Sequence, residues 1–325
     1  MVWSARRFLS WTVLVLLLLA LSPGCRSAAP PGAVEEPSVQ QGPGTTCTPA
    51  EGSPVKGELS IHFIDVGQGD SILVLLPTGE TILVDAGDNG LGPAIVQYLK
   101  DQGVTRVDYL VATHPHADHL GGMPDVIKSF DIGEVYMPRT THTTQTYERL
   151  LLAVREKGLR ITEARAGVVL FDLPNLRAVL VAPVSSGYQN VNDWSAVLRI
   201  EYGDTAFLFA GDAEAKSEEE MISSGVKLAA DVLKVGHHGS GTSTTPGFLT
   251  AVSPAIAVIS VGAGNRYGHP APETLARLES TGTEVYRTDL HGTVKVVSDG
   301  NSVMVQTKKE PAFDGAGPSC CGPEG

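Results

Sequence analysis

An apolar run, Val107 to Ala112, passes directly into Thr113-His114-Pro115-His116-Ala117-Asp118-His119-Leu120-Gly121-Gly122, and this junction leaves the chain few ways to fold. The run reads as a buried strand. Pro115 has no amide donor and disfavours helical backbone at the residue before it, so the strand must give way to a loop there. On such a loop His114 and His116 alternate and can aim at one point, while Asp118 and His119 turn to a second. Imidazole and carboxylate are ligands that suit Zn, Mn or Fe. A surface loop merely rich in histidine needs no buried strand behind it, so the stretch is read as a metal-binding loop.

The flanking pattern is one of short strands and helices. Glu58 to Val66 alternates, with Leu59, Ile61 and Phe63 on one side, and reaches the turn Gly67-Gln68-Gly69. Ser71 to Leu76 and Thr81 to Asp85 form a hairpin around Pro77-Thr78-Gly79. Ile95, Val96 and Leu99 give Gly92 to Gln102 a helical period, and Gly103 ends it. A second helix spans Met123 to Phe130. Further on, Val168–Leu173, Ala178–Ala182, Ala196–Tyr202 and Thr205–Ala210 read as consecutive strands, the last two joined tightly by Gly203-Asp204. Ala215–Ser224 and Pro272–Ser280 are helices. Val232–Val235, Ala255–Val261, Glu284–Arg287, Thr293–Ser298 and Ser302–Gln306 are strands. Two sheets with helices outside would bury all these faces in one α/β domain.

Asp65, Asp85, His114, Asp212 and His237 each end an apolar run, and strand ends on one edge of such a sandwich converge on one cleft. Asp85 is placed either to orient a metal-bound imidazole or to cap a turn. Asp212 either binds metal or caps the helix that begins near Ala215. His237 and His238, adjacent on a strand end, should point opposite ways, one to metal and one to packing or substrate. Gly239 permits close approach, and Ser240 offers a hydroxyl to a phosphoryl oxygen. His269 is a third candidate ligand beside Asp118 and His119; which of His237, His238 and His269 ligates stays open. His62 and His142 match no motif and read as structural or surface residues. His291 is a weak candidate for the cleft wall.

The ordered set Phe63-Ile64-Asp65-Val66-Gly67-Gln68-Gly69-Asp70-Ser71, Leu83-Val84-Asp85-Ala86-Gly87, the HxHxDH loop, Ala210-Gly211-Asp212-Ala213-Glu214, Leu233 to Ser240 and Asn265 to Pro270 resembles the metallo-β-lactamase superfamily. Within it, the set looks like the soluble extracytoplasmic domain of the ComEC competence proteins. The resemblance implies a four-layer αββα sandwich of two mixed sheets over residues 58–308. It implies two divalent metal ions, Zn or Mn, with Asp212 as the bridging carboxylate. It also implies hydrolysis of phosphodiesters, nuclease activity included. Where most of the superfamily supplies another histidine, this chain has Asn192-Asp193-Trp194-Ser195. The site of His114, His116 and Asp212 is therefore one imidazole short. The Asn192 oxygen or water could fill the gap, favouring a harder ion such as Mn. Cations held by this set would polarise a phosphoryl oxygen and acidify a water. Asp118 is placed to orient that water or take its proton, and His238 to assist at the metal or the substrate.

Composition narrows the alternatives. The 325 residues are 42% hydrophobic and 18% charged, enough for a large core. A net charge of -12 argues against a generic nucleic-acid-binding surface, yet bound cations can supply local positive charge. No GxSxG joins a strand to a helix and no Walker motif is present, so neither a serine nucleophile nor a nucleotide cofactor is expected. Arg6-Arg7 and the apolar Trp11 to Leu21 form a signal segment over residues 1–25. Gly24-Cys25 resembles a lipoprotein acceptor with Ser22 in place of the usual leucine, so membrane tethering through Cys25 competes with release after cleavage near Ala28. Residues 26–57 read as a flexible linker and 309–325 as a disordered tail. Cys47, Cys320 and Cys321 lie away from the metal motifs, and their pairing stays open. Three functions compete: an exported phosphodiesterase acting on extracellular DNA, a phosphodiesterase for another polymer such as cell-wall phosphorylcholine, and a non-catalytic DNA-binding accessory of competence.

Overall fold

The structure is a computed structural model and describes residues 53–308. The signal segment, Cys25, the tail and all of the linker before residue 53 lie outside the described residues; 53–57 have no regular secondary structure. Among the described residues no helix is long and apolar enough to cross a membrane.

β1 (Leu59–Phe63), β2 (Ile72–Leu75), β3 (Thr81–Val84), β4 (Arg106–Val111), β5 (Asp131–Met137) and β6 (Ile161–Glu163) pair in succession. A second, seven-stranded sheet follows: β7 (Val169–Leu173), β8 (Leu176–Ala182), β9 (Val197–Tyr202), β10 (Thr205–Phe209), β11 (Val232–Lys234), β12 (Ile256–Ile259) and β13 (Glu284–Arg287). The chain then returns to the first sheet with β14 (Val294–Ser298), which pairs with β1, and β15 (Val303–Thr307). Both sheets are mixed. β1 to β3 are antiparallel and β3 to β6 parallel; β7 to β10 are antiparallel and β10 to β13 parallel.

The two-residue period of the strands sorts their side chains into separate cores. Leu59, Ile61, Phe63, Val74 and Ile82 of the first sheet meet Leu198, Ile200, Phe207 and Phe209 of the second. Phe63 and Phe209 pack edge-on there, centroids 5.8 Å apart, a contact that adds about 0.5–1.5 kcal/mol beyond area burial. The intervening residues face outward: Leu73, Leu83 and Leu110 against Ile95, Leu99, Met123, Ile127 and Leu150 of helices, and Leu208, Leu233 and Ala257 against Met221, Phe248 and Leu278. Three cores between four layers make the expected αββα sandwich.

Among the described residues six strands or α-helices had no reading in the sequence: β5, β6 and the helices Ala117–Leu120, Gln145–Glu156, Pro246–Val252 and Thr288–His291. All three residues of β6 are exposed, so it carries no apolar alternation. β5 interrupts its buried positions with Asp131, Gly133 and Glu134.

Parallel strands of both sheets deliver their C-terminal ends to one edge of the sandwich. There Ala196 N–H donates to the Thr113 carbonyl (2.9 Å), and His237 N–H donates to the Gly211 carbonyl (3.1 Å). The first bond ties the loop after β4 to the segment entering β9, and the second ties the loops after β10 and β11.

Candidate metal centre

The loop after β4 folds as expected and closes with one helical turn, Ala117–Leu120. Asp85, just past β3, sits fully buried at φ 57°, a left-handed backbone that non-glycine residues hold only where surroundings enforce it. Its carboxylate accepts from Thr113 N–H at 2.9 Å, from Thr113 Oγ1 at 2.6 Å and from His119 Nδ1 at 2.7 Å. Both sides of the junction are locked, and His119 Nε2 is turned toward the cleft.

There it meets a common centre. Asp212 Oδ2 lies 3.3 Å from His119 Nε2, 3.5 Å from His238 Nε2, 3.6 Å from His114 Nε2 and 3.8 Å from His237 Nε2. Asp118 Oδ2 stands 3.3 Å from His238 Nε2 and 3.9 Å from His119 Nε2. His116 Nδ1 is 2.9 Å from His114 Nε2. Ligand atoms of His114, His116 and Asp212 lie within 4.8 Å of one another, and so do those of Asp118, His119 and His238. Two adjoining donor sets therefore share Asp212 as neighbour. A cleft of about 200 Å³ opens over them, walled by His116, Asp118, His237, Tyr267 and His269.

Burial opposes a charge on His114, His116, Asp118, His119, Asp212 and His238, yet the outcomes differ. His114 is pushed well below the ordinary imidazole value by burial and by His119 beside it. His116 moves the same way, chiefly through burial. For His119 and His238 the carboxylates overcome burial. Asp212, Asp85 and Asp118 raise His119 well above its usual value; Asp212, Asp118 and Asp70 raise His238 to about 9. Against burial, His238 and His119 hold Asp212 well below the usual carboxylate range, and His119 and His238 hold Asp118 below it too.

The donor set fits a divalent metal. His119 Nε2, His238 Nε2, Asp212 Oδ1 and Asn192 Oδ1 are buried and have no hydrogen-bond partner. Proteins rarely leave such atoms orphaned unless a ligand satisfies them. Metal binding would replace the protons now shared among imidazoles and carboxylates.

The family model of the metallo-beta-lactamase superfamily matches residues 64–263. The chain belongs to this superfamily. It is 32% identical over 258 residues to ComE operon protein 3 of Bacillus subtilis, covering 74% of this chain and 33% of that one. Competence protein ComA of Neisseria gonorrhoeae is 35% identical over 245 residues, 74% of this chain and 32% of its own. Recombination protein 2 of Haemophilus influenzae is 30% identical over 241 residues, 73% and 28% respectively. The chain thus spans about a third of the length of these relatives.

Not every residue expected at the centre is in it. Asp65 is exposed and lines a separate groove with Leu91 and Tyr98, its amide donating to Thr293 Oγ1. The chain turns at Gly67–Gly69, and Asp70, not Asp65, re-enters the cluster. Gly69 is obligatory in that turn: at φ 131° its missing Cβ would collide with the Asp118 carbonyl oxygen. His237 and His238 do not alternate on a strand. β11 ends at Lys234, and both lie in a tight turn at φ 45° and 53°, from which both approach Asp212. Ser240 turns to Thr242, 2.9 Å away. His237 and His269 join neither donor set; the His269 ring stacks on Tyr267 and flanks His237 at 5.4 Å. His291 is engaged with the Arg287 backbone instead of the cleft, whereas His142 comes within 6.2 Å of His116, ring to ring.

Three residues had no assigned role. Asp70 Oδ2 lies 2.5 Å from Lys234 Nζ, and Lys234, fully buried, also donates to the Gly211 carbonyl at 3.0 Å. This pair holds Asp70, though buried, in its charged form. Glu214 Oε1 is 2.9 Å from His237 Nδ1 and accepts from Asn192 Nδ2 at 2.8 Å. A lysine inside the apolar run Val232 to Val235 was the available signal, because a buried lysine needs a partner.

Proposed function

We propose that this chain is a metal-dependent phosphodiesterase that cleaves nucleic acid, with DNA outside the cytoplasm as its substrate. The observation that carries this is the meeting of four imidazole nitrogens around Asp212 Oδ2 with Asp118 at the cleft mouth. His114, His116 and Asp212 would hold one ion, with Asn192 Oδ1 near at hand; Asp118, His119 and His238 would hold the other. Zn or Mn bound there supplies electrophilic activation of a phosphoryl oxygen and of water.

The chain's own groups do the rest. Asp118, 29% exposed and kept ionised, presents Oδ2 as acceptor for the proton of an attacking water. Asp85 fixes the ring of His119, and Glu214 that of His237. Tyr267 and His269 form a stacked wall that shields one side of the cleft. Its volume admits a phosphodiester group and little else, so the body of a polymeric substrate must lie across the surface outside. The choice of DNA leans on the relatives named for competence and recombination.

The deciding experiment compares single-stranded DNA, a small chromogenic phosphodiester, a β-lactam and a thioester, with added Mn or Zn and after chelation. Metal-dependent hydrolysis of the two phosphodiesters is expected. Cleavage of only the lactam or thioester would overturn the proposal. The signal segment supports export with tethering at Cys25: Cys25→Ser should release the protein from the membrane fraction, and unaltered association would refute the anchor.

A further inference from the structure

The metal cleft is not the largest cavity of the domain. A neighbouring one, of about 490 Å³, is lined by Arg139, Glu163, Arg165, Pro183, Ser185 and Trp194 among others. Strand register places it beside the centre. Val111, Tyr136 and Thr162 lie side by side on the parallel strands β4, β5 and β6. Three residues beyond each, in the loops that follow these strands, come His114, Arg139 and Arg165. Both arginines therefore follow C-terminal strand ends on the edge of the sheet that carries the metal-binding loop. The second sheet closes the cavity. Ala166 N–H donates to the Pro183 carbonyl at 2.8 Å. Trp194 belongs to the same helical turn, Asn192–Trp194, as the amide that touches His237 at 3.3 Å.

Two features give the cavity a chemistry. Among the described residues neither the Arg139 nor the Arg165 side chain makes a hydrogen bond or ion pair, although acidic groups outnumber basic ones by 36 to 24 along the chain. Two guanidiniums spared from neutralisation suit phosphates. Trp194 is half-exposed, and its position is fixed: Nε1–H donates to the Tyr188 carbonyl at 3.2 Å, and the Tyr188 ring packs edge-on at 5.4 Å. An immobilised indole beside unpaired arginines is the combination that holds single strands, stacking a base while cations track the backbone.

We infer that this cavity seats nucleotides flanking the scissile bond of a single-stranded nucleic acid, with backbone phosphates on Arg139 and Arg165 and a base on Trp194. The assignment deepens the phosphodiesterase proposal and rests on it for the location of the scissile bond. Glu163, the one carboxylate among the lining residues, would oppose the phosphates.

Binding measured without metal tests this apart from hydrolysis. Trp194 is the sole tryptophan of residues 53–308, so full-length protein carrying Trp3→Phe and Trp11→Phe reports on it directly. A short oligothymidylate in chelator should quench Trp194 fluorescence and raise the anisotropy of a labelled strand. Arg139→Ala with Arg165→Ala should flatten the slope of log affinity against log salt by about 1.4, two phosphates' worth. Trp194→Ala should weaken binding about tenfold, with Trp194→Phe recovering most of it. Glu163→Gln should tighten binding. Lys100→Ala with Arg155→Ala removes equal charge from helix ends that precede β4 and β6, at the opposite edge, and should leave the slope unchanged. Absent quenching, an unaltered slope in the arginine variant, or a loss of inorganic polyphosphate affinity in Trp194→Ala equal to its loss for the oligothymidylate would overturn the inference. Quenching without any phosphodiester hydrolysis would keep the single-strand site but remove the phosphodiesterase proposal and with it the placement beside a scissile bond; hydrolysis without quenching would overturn the inference and keep that proposal.

Discussion

His62 and the pair His119 and His238 are buried alike, at 2%, 0% and 2% exposure, and could hardly differ more in how they are accommodated. His62, on β1, has both ring nitrogens engaged, Nε2 with Ser60 Oγ at 2.9 Å and Nδ1 with Tyr98 Oη at 2.8 Å. Burial, aided by Lys295, lowers its pKa to about 4 and keeps it neutral. His119 and His238 keep Nε2 without a partner and are surrounded by more carboxylates than any fold requires. A satisfied buried histidine is part of the scaffold. A buried histidine with an orphaned nitrogen and anionic neighbours is stored for a ligand, at a cost in stability.

The largest effect that sharpens this contrast is expected at Asp118. Asp118→Ala should lower metal-supported turnover of the phosphodiester by roughly 10²–10⁴-fold, since it removes a ligand and the proton acceptor together. His116→Ala and His238→Ala, each removing one ligand of a different donor set, should fall as far. In the absence of metal Asp118→Ala should lower stability, because the ionised carboxylate is paired with His119 and His238. Turnover and urea midpoints for wild type and each variant test both halves; near-wild-type turnover in Asp118→Ala refutes the role given to this carboxylate.

Lys234 stands inside the edge cluster but behaves like the scaffold. Its ammonium is paired with Asp70 and the Gly211 carbonyl. Lys234→Met leaves Asp70 uncompensated and should destabilise by roughly 3–5 kcal/mol, and adding Asp70→Leu should restore much of the loss. Denaturant titration of single and double variants decides; a double variant no more stable than Lys234→Met would show that the ion pair is not what Lys234 contributes.

How much of this was open to sequence reasoning follows the same division. The loop from His114 to His119 declares itself locally, because histidines two apart, a proline and an apolar run are neighbours in the chain. Alternation of Leu59, Ile61 and Phe63, or of Phe207 and Phe209, likewise announces the inter-sheet core. Asp85, Asp212 and His237 were found because they end apolar runs at the functional edge. Asp65 ends a strand there as well, but its chain turns outward toward Tyr98, and only the close approach at Gly69 brings Asp70 in. Asp70, Lys234 and Glu214 act across the sandwich through contacts between residues far apart in sequence, which no short window contains. The left-handed turn at His237 and His238 was equally hidden, because its φ values are imposed by the surrounding fold. The same holds for Arg139 and Arg165: β5 and β6 had to be seen before their alignment with His114 had any meaning.

For His62 the expected effect is on stability alone. Its folded pKa, about 4, lies below the unfolded value of 6.5, so the unfolded chain binds the extra proton as pH falls. The contribution is complete above pH 6.5 and is lost between there and pH 4, amounting to about 3 kcal/mol when the unfolded histidine is fully protonated. His62→Gln, which cannot titrate, should flatten the stability curve over that window relative to wild type and leave phosphodiester turnover alone. An unchanged curve, or a loss of turnover like that of His116→Ala, would erase the distinction between the two kinds of buried histidine.

The smallest effect is expected at Glu214, which lies between the two kinds of site. It is a scaffold group by its hydrogen bonds, accepting from Asn190 and Asn192 at 2.8 Å each, and a tuning group by its 2.9 Å contact with His237 Nδ1. A carboxylate on the far nitrogen of an imidazole sets the ring's orientation and strengthens its other nitrogen as a ligand. In Glu214→Gln the side chain keeps its size and one acceptor, but loses the charge that fixes His237. Metal affinity should fall by roughly 10–100-fold at one of the two sites, with turnover recovered at saturating Mn. Calorimetric titration of Mn into metal-free protein reads this directly, with stoichiometry separating the sites. Unaltered affinity in Glu214→Gln would show that His237 adds nothing to the two donor sets and leave it, with His269, to the wall of the cleft.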